Sequence, residues 1–235
     1  MKQTEYVFQR YEKKYLLTYD QYQQLLLELQ PYMELDCYGK HTICNIYYDT
    51  DSYELIRTSI EKPSYKEKLR IRSYGIPKED GDVFLELKKK VNGIVYKRRV
   101  CLPYALAITY INTGQCRYKT QILKEIDWFI NRYHPDQKTF IAYDRMAYFG
   151  KEEDTLRITF DFDLRWRKDQ VDLLYGDEGQ RLLPQDKVLM EIKLPMAMPI
   201  WLSNCLNKIQ IYPISFSKYG TCYKEHLVDA VKIGG

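Results

Sequence analysis

The sequence has 235 residues, and its 36 Lys and Arg against 32 Asp and Glu give a formal net charge of +4. This mild excess does not predict nucleic-acid binding from bulk charge. The six cysteines form no C-x-x-C pair and have no histidine at zinc-ligand spacing, so neither a zinc site nor a dithiol redox motif is indicated. The length is suited to one sizeable domain or two small ones, and since the sequence shows no domain linker we predict a single domain over residues 1–235.

Two further features bear on location. The first ten residues are charged rather than apolar, and no apolar run approaches the ~20 residues that span a bilayer. Free thiols are typical of a reducing compartment. We therefore expect a cytoplasmic protein that does not insert into a membrane.

The N-terminal third reads as strand, helix, strand and short helix. A first strand is predicted over residues 6–17, and Thr18 with Gln21 forms a capping box that begins a helix ended by Pro31. A second strand is predicted over residues 43–48. A turn follows, in which we expect Asp51 to cap a short helix.

The strand at residues 66–74 carries a row of like charges. Residues i and i+2 of a strand point to the same side, so Lys68, Arg70 and Arg72 share one face. Like charges side by side repel, and sheets avoid such rows unless water or an anion separates them. One such strand by itself is typical of a solvated outer face.

The same spacing recurs in other predicted strands, which makes the pattern informative. The further rows are Arg10/Glu12/Lys14, Glu86/Lys88, Lys97 with either Arg98 or Arg99, Arg145, Arg157/Asp161 and Glu191/Lys193. The parity at residues 97–99 stays open, because one bulge would exchange the two faces. Residues 103–135 interrupt the strands with a predicted helical insertion, broken near residues 112–114.

A sheet with one charged and one apolar face has two solutions. Either the charged face meets bulk water, or the sheet closes into a barrel with its charges inside and helices outside. The predicted helices supply the outer cover that the second solution needs, which would give an α+β fold built on a closed antiparallel barrel. Buried unpaired charges are costly, so an excess of cations predicts a polyanionic ligand such as a polyphosphate. The few carboxylates, Glu12, Glu86, Asp161 and Glu191, are suited to a hard cation, Mg²⁺ or Mn²⁺.

Short motifs in a fixed order resemble the VTC domain, a polyphosphate polymerase domain of the CYTH or triphosphate tunnel metalloenzyme superfamily. These motifs are EKKY at 12–15, NIYYD at 45–49, KLRIRSYG at 68–75, FLELK at 84–88, YDR at 143–145, RITFD at 157–161, EIK at 191–193 and SKYG at 217–220. The resemblance implies a tunnel-shaped antiparallel barrel of about eight strands with helices packed outside.

The resemblance also implies roles for individual residues. The expected catalytic residues are Arg70, Arg72, Lys88, Arg145, Arg157 and Glu191. The expected substrate-binding residues are Arg10, Lys14, Lys68, Glu86, Lys97, Arg99, Lys193, Ser217, Lys218 and Tyr219. The expected metal ligands for Mn²⁺ or Mg²⁺ are Glu191, Glu12 and Asp161. Arg10 stands where the superfamily has the first acid of an E-x-E-x-K pattern, which favours a polymerase over a two-metal hydrolase.

The function that follows is transfer of the γ-phosphoryl group of ATP to a growing polyphosphate chain. ATP, inorganic polyphosphate, and pyrophosphate or phosphate are therefore the expected partners, with no nucleic acid. The family also allows a membrane-protein partner. Four alternatives remain open: a triphosphatase, a nucleotidyl cyclase, a non-catalytic module that binds polyphosphate or inositol phosphates, or a β-sheet protein whose charged faces are simply solvated. The oligomeric state is left undetermined.

Overall fold

The computed structural model describes residues 11–92, 94–116, 118–153, 155–194 and 197–228. The strands in these ranges are β1 Tyr11–Thr18, β2 Met33–Leu35, β3 His41–Asp49, β4 Tyr65–Tyr74, β5 Asp82–Val91, β6 Ile94–Pro103, β7 Asp136–Gly150, β8 Arg157–Arg167, β9 Gln180–Arg181, β10 Lys187–Leu194 and β11 Pro213–Ile214. The helices are α1 Tyr19–Leu29, α2 Glu54–Ile60, α3 Tyr104–Thr113, α4 Gln121–Tyr133, α5 Ile200–Lys208 and α6 Lys218–Cys222, which a π-helical turn, Tyr223–Leu227, follows.

The strands form one antiparallel sheet, and the α+β class is confirmed. The hydrogen-bonded order is β11-β1-β10-β8-β7-β3-β4-β5-β6, with β2 paired to β7 and β9 to β8. The sheet contains 11 strands rather than about eight. Within the described residues no backbone pairing joins β6 to β1 or β11, so closure of a barrel by hydrogen bonds is not observed.

The apolar face of the sheet lies under the helices. One cluster of buried side chains packs β3 to β6 against α3 and α4, and a second packs β1, β8 and β10 against α1 and α5. A third cluster lies on the opposite side of the sheet, the side of Arg70 and Arg72, where β3 and β7 pack against α6 and the turn after it. In β4 the apolar face carries Leu69 and Ile71, both fully buried, so burial of apolar area holds the strand in its register.

Two helix starts show how local sequence acts. The capping box at α1 is confirmed, because Thr18 Oγ1 accepts from Gln21 N at 3.1 Å and the Gln21 side chain accepts from Thr18 N. The expectation that Asp51 caps α2 is wrong. Asp49 takes that role from the end of β3, accepting from the backbone N–H groups of Leu55 at 2.9 Å and Ile56 at 3.0 Å.

The region between β6 and β7 is helical, as predicted. α3 ends at Gly114, whose φ of 70° is the left-handed conformation that glycine adopts without strain. α4 then begins after Thr120, whose side chain accepts from Leu123 N. Among the described helices, none combines the length and apolar character that a membrane span requires. The extent of the domain over residues 1–235 stays a prediction.

Candidate anion-binding site

The sheet register collects the charged rows on one side. Lys14 lies opposite Glu191, Arg145 opposite Asp161, and Arg70 opposite Glu86. Paired residues of neighbouring strands point to the same side, so the rows share one surface. We call this surface the charged face; its residues are Glu12, Lys14, Lys68, Arg70, Arg72, Glu86, Lys88, Lys97, Arg99, Arg145, Asp161, Glu191 and Lys193, with Lys218 reaching it from α6.

The charged face is concave, because one short segment before and at the start of α6 contacts three separate strands. Lys14 Nζ in β1 donates to Phe216 O at 3.1 Å, and Lys68 Nζ in β4 donates to Ser217 Oγ at 3.3 Å. Lys218 Nζ reaches Asp161 Oδ2 in β8 at 2.6 Å. Strands far apart in the hydrogen-bonded order therefore face one another across a shared space.

Glu86 is the counterion at the centre of the β4–β6 part of the charged face. Its Oε2 accepts from Arg70 at 2.6 and 2.8 Å, and its Oε1 lies 2.9 Å from Lys97 Nζ and 3.4 Å from Arg99 Nε. Burial tends to raise the pKa of Glu86, but the charges of Arg70, Arg72 and Lys97 hold it well below the usual range. Arg98 instead points to α4, where Nε donates to Glu125 at 3.1 Å. The open parity at residues 97–99 is thereby resolved.

Asp161 is the counterion of the cations in the β7–β8 part of the charged face. Arg145 binds it with two parallel hydrogen bonds of 2.6 and 2.8 Å, and Lys218 Nζ adds a third contact at 2.6 Å. Burial opposes ionisation of Asp161, and Lys218 and Arg145 overcome that effect to lower its pKa. Both carboxylate oxygens are engaged by cations, so Asp161 does not fit a metal ligand.

Glu12 and Glu191 are the carboxylates that fit a hard metal ion. They lie on neighbouring strands and diagonally across the register, each beside one lysine: Glu12 is 3.2 Å from Lys14 and Glu191 is 2.8 Å from Lys193. Burial tends to raise the pKa of Glu191, and Lys193 and Lys14 more than reverse this. Within the described ranges no three histidine, cysteine or carboxylate side chains come together as a metal cluster. Such a pair suits Mg²⁺ or Mn²⁺ shared with phosphate oxygens.

Lys68 and Lys88 lack the counterions that the other cations have. In the part of the chain that the structure describes, neither has a carboxylate within ion-pairing distance. Desolvation and then Lys88 lower the pKa of Lys68 to about 7. Water reaches Lys88, yet desolvation lowers its pKa as well, although Glu12 and Glu191 oppose this. An anion between these lysines would supply the missing negative charge.

Three polar residues that orient the arginines were not among the predicted site residues. Arg72 Nε donates to Asn45 Oδ1 at 3.0 Å, and its Nη2 lies 3.4 Å from the Tyr143 hydroxyl. Arg70 Nη1 donates to the Tyr47 hydroxyl at 3.1 Å. The alternation of β3 and β7 places all three on the charged side, so strand parity could have indicated them.

Three further predicted residues differ in their placement. Arg157 lies opposite Lys193 and so points to the side of the charged face, at the end of β8, where its side chain is 52% exposed and 3.7 Å from Asp36. Tyr219 is buried, donates to Asp49 Oδ2 at 3.0 Å and stacks on Tyr47, so its hydroxyl serves the packing of α6. Arg10 lies outside the described residues.

Comparison with models of known protein families shows the family to which this chain belongs. The model of the VTC domain matches residues 9–226, which is most of the chain. The chain belongs to the VTC domain family. None of the curated proteins compared with it matches.

Solved structures with the same fold agree with this VTC domain assignment. A candidate adenylate cyclase from Bacillus halodurans superposes with a TM-score of 0.54 at 13% identity, over 88% of this chain and 92% of that one. A candidate adenylyl cyclase from Hippeastrum, described as having a dominant triphosphatase activity, gives 0.54 at 16% identity, over 91% and 94%. At such identities the likeness establishes the fold.

The charges of the VTC domain predict a pH dependence of anion binding. Desolvation lowers the pKa of Lys97 to about 8. Burial tends to raise the pKa of Tyr143, but the charges of Arg72, Arg145 and Lys218 outweigh it and lower that pKa to about 8. As the pH rises from about 6 to about 9, Lys68 and Lys97 lose positive charge while Tyr143 gains negative charge. Affinity for tripolyphosphate is therefore expected to fall, by up to about tenfold per pH unit for each group above its pKa.

Calorimetric titrations in buffers of different ionisation enthalpy would check this prediction, because binding should take up protons near pH 8. The variant Lys68→Arg, which stays charged throughout, should show a shallower fall. An affinity that does not change with pH would contradict the expectation.

Proposed function

We propose that this VTC domain is a polyphosphate polymerase that transfers the γ-phosphoryl group of ATP to a growing polyphosphate chain. The observation that supports it most strongly is the pair Lys68 and Lys88, two cations without carboxylate partners inside a concave, cation-rich surface. A single phosphate would neutralise only part of such a surface. A chain of phosphates extends along it and meets cations from several strands.

The proposal assigns the charged face as the lining of a tunnel, whether or not hydrogen bonds close the sheet. The contacts of residues 216–218 with β1, β4 and β8 support enclosure. Partial enclosure limits the access of water and strengthens the attraction between cations and phosphate oxygens. It also distinguishes the proposal from a sheet whose charged face is simply solvated.

Positioning and charge stabilisation account for the catalysis, since phosphoryl transfer requires little covalent chemistry from the protein. Arg70 and Arg72 are held in place by Glu86 and Asn45, and Arg145 by Asp161. Guanidinium groups fixed in this way act as a preorganised clamp for the transferred phosphoryl group. An ionised phosphate oxygen at the end of the acceptor chain attacks the γ-phosphorus of ATP. The bond from that phosphorus to the β–γ bridging oxygen breaks, and ADP leaves with the electron pair.

Glu191 and Glu12 would hold Mg²⁺ or Mn²⁺. The metal would supply Lewis-acid neutralisation of phosphate oxygens. The low pKa of Glu191 keeps its carboxylate ionised and available throughout the neutral range. Lys14 and Lys193 bind the same carboxylates and would then turn toward the phosphate oxygens.

A triphosphatase is the second candidate, and the fold shared with the Hippeastrum protein favours it. The two reactions differ in the acceptor, which is water for the hydrolase and a phosphate chain for the polymerase. The charged face is compatible with both, because the clamp on the γ-phosphoryl group is the same.

Incubation of the purified protein with ATP and Mn²⁺ or Mg²⁺ tests the proposal through its products. Chains resolved by gel electrophoresis and digested by an exopolyphosphatase support the polymerase. Free phosphate without chains identifies a triphosphatase, and cyclic nucleotide a cyclase. Binding of polyphosphate without any product would leave a non-catalytic binding module. Each of the last three results contradicts the polymerase.

A further inference from the structure

A group of aromatic rings borders the charged face. We call it the aromatic rim, and it consists of Tyr38, His41, Tyr74, Phe84 and Arg99. The rings of Tyr74 and Phe84 are nearly perpendicular, with their centroids 5.7 Å apart. The ring centroids of His41 and Tyr74 are 5.9 Å apart, and those of Tyr38 and His41 are 6.3 Å apart. Arg99 Cζ lies 3.4 Å from the centre of the Phe84 ring. The group is therefore one connected surface.

The aromatic rim is continuous with the charged face. Tyr74 follows Arg72 by two residues in β4, so both side chains point to the same side. Phe84 lies directly opposite Arg72 in the neighbouring strand. Arg99 belongs to both surfaces, because Nε is 3.4 Å from Glu86 Oε1 while the guanidinium lies over Phe84.

Packing of the core does not explain the aromatic rim. Tyr38 is 77% exposed and Tyr74 is 52% exposed, so a large part of each side chain is in contact with solvent. The turn that carries Tyr38 is ordered by Asp36, which accepts from Tyr38 N at 3.1 Å with its side chain and from Gly39 N at 3.2 Å with its carbonyl. Gly39 takes a φ of 56°, which a residue with a Cβ rarely adopts. The exposed ring is thus held at a defined place.

We propose that the aromatic rim stacks the base of the nucleotide whose phosphates occupy the charged face. The inference rests on the proposed function and adds a substrate preference, for nucleoside triphosphates over inorganic triphosphate. Exposed rings and a guanidinium plane bind a base through stacking and cation–π attraction, which tolerate different bases. Arg99 lies where the base and phosphate regions meet, so one nucleotide can contact both.

The test compares two ligands by calorimetry, a non-hydrolysable ATP analogue and tripolyphosphate. In Tyr38→Ala and Tyr74→Leu, the affinity for the ATP analogue is expected to fall about 5- to 100-fold, the usual worth of one base–aromatic stack. Affinity for tripolyphosphate should stay within about twofold in Tyr38→Ala, because no charge is changed. Tyr74→Leu also removes the hydroxyl that accepts from Arg99 Nη2 at 3.3 Å, and Tyr74→Phe, which loses the same hydrogen bond, is its control. Tyr74→Phe keeps the ring and should bind both ligands as the unaltered protein does.

Tyr175→Ala is the matched control, because this tyrosine is also exposed but lies in the loop between β8 and β9. Unchanged binding of the ATP analogue by Tyr38→Ala and Tyr74→Leu, with tripolyphosphate still bound, overturns the stacking inference and leaves the proposed function intact. Equal weakening of both ligands also overturns it, since the charged face would then be what was disturbed. Failure of the unaltered protein to bind tripolyphosphate overturns the proposed function and this inference together.

Discussion

Replacing Glu86 with glutamine is expected to lower the free energy of unfolding by about 3 to 5 kcal/mol, the usual cost of removing one partner from a buried ion pair. Glu86 is 2% exposed and lies within ion-pair distance of Arg70, Lys97 and Arg99. The amide can still accept a hydrogen bond, but it provides no negative charge. The cations would then repel one another with no counterion between them.

Thermal and urea unfolding would measure this change. Glu28→Gln is the control, because Glu28 of α1 also forms an ion pair, at 2.6 Å, but with Lys208 of α5, whose side chain is 70% exposed. Its melting temperature should hardly change. Saturating tripolyphosphate should stabilise Glu86→Gln at least as much as the unaltered protein, because the ligand replaces the lost charge. A loss no larger than that of the control would show that Glu86 is not the counterion of this group.

Replacing Glu191 with glutamine is expected to reduce turnover of ATP by at least about a hundredfold. The substitution keeps the size of the side chain and removes the charge that a divalent metal ion requires. Binding of tripolyphosphate without metal should be equal or tighter, because one negative charge leaves the charged face. Loss of turnover with retained anion binding separates a catalytic role from a purely binding one.

The measurement is the rate of product formation with Mn²⁺ or Mg²⁺, together with calorimetric titration of tripolyphosphate and a melting curve to verify folding. Glu79→Gln, in the exposed loop between β4 and β5, is the control and should retain full turnover. Undiminished turnover in Glu191→Gln would show that this carboxylate does not hold the metal.

Strand periodicity predicted much of the charged face. Lys68, Arg70 and Arg72 do share one side of β4, and Leu69 with Ile71 the other, because a pleated strand alternates its side chains. The sequence signals for helix ends also depend only on neighbouring residues. The capping box at Thr18 and the break at Gly114 both depend on residues within one turn of the helix end.

Other features depend on partners far away in the sequence. Asp49 rather than Asp51 caps α2, because the end of β3 aims its carboxylate at the backbone of residues 55 and 56. Arg157 does point to the inward side of β8, but its contact at the end of that strand is with Asp36, which is remote in sequence. Which of Arg98 and Arg99 faces inward depended on the pairing with β5, which no local pattern specifies.

The sequence by itself determined which side chains lie on the same side of each strand, since that depends only on the twofold alternation of the backbone. It thereby established that cations would form rows and that apolar residues would be covered by helices. The tertiary structure decided how the rows face one another and which cations lack counterions, notably Lys68 and Lys88. It also decided which carboxylates are fully engaged by arginine and lysine, as Asp161 is. These outcomes depend on curvature and on distances between strands remote in sequence, which electrostatic and packing energies set only when the whole sheet has formed.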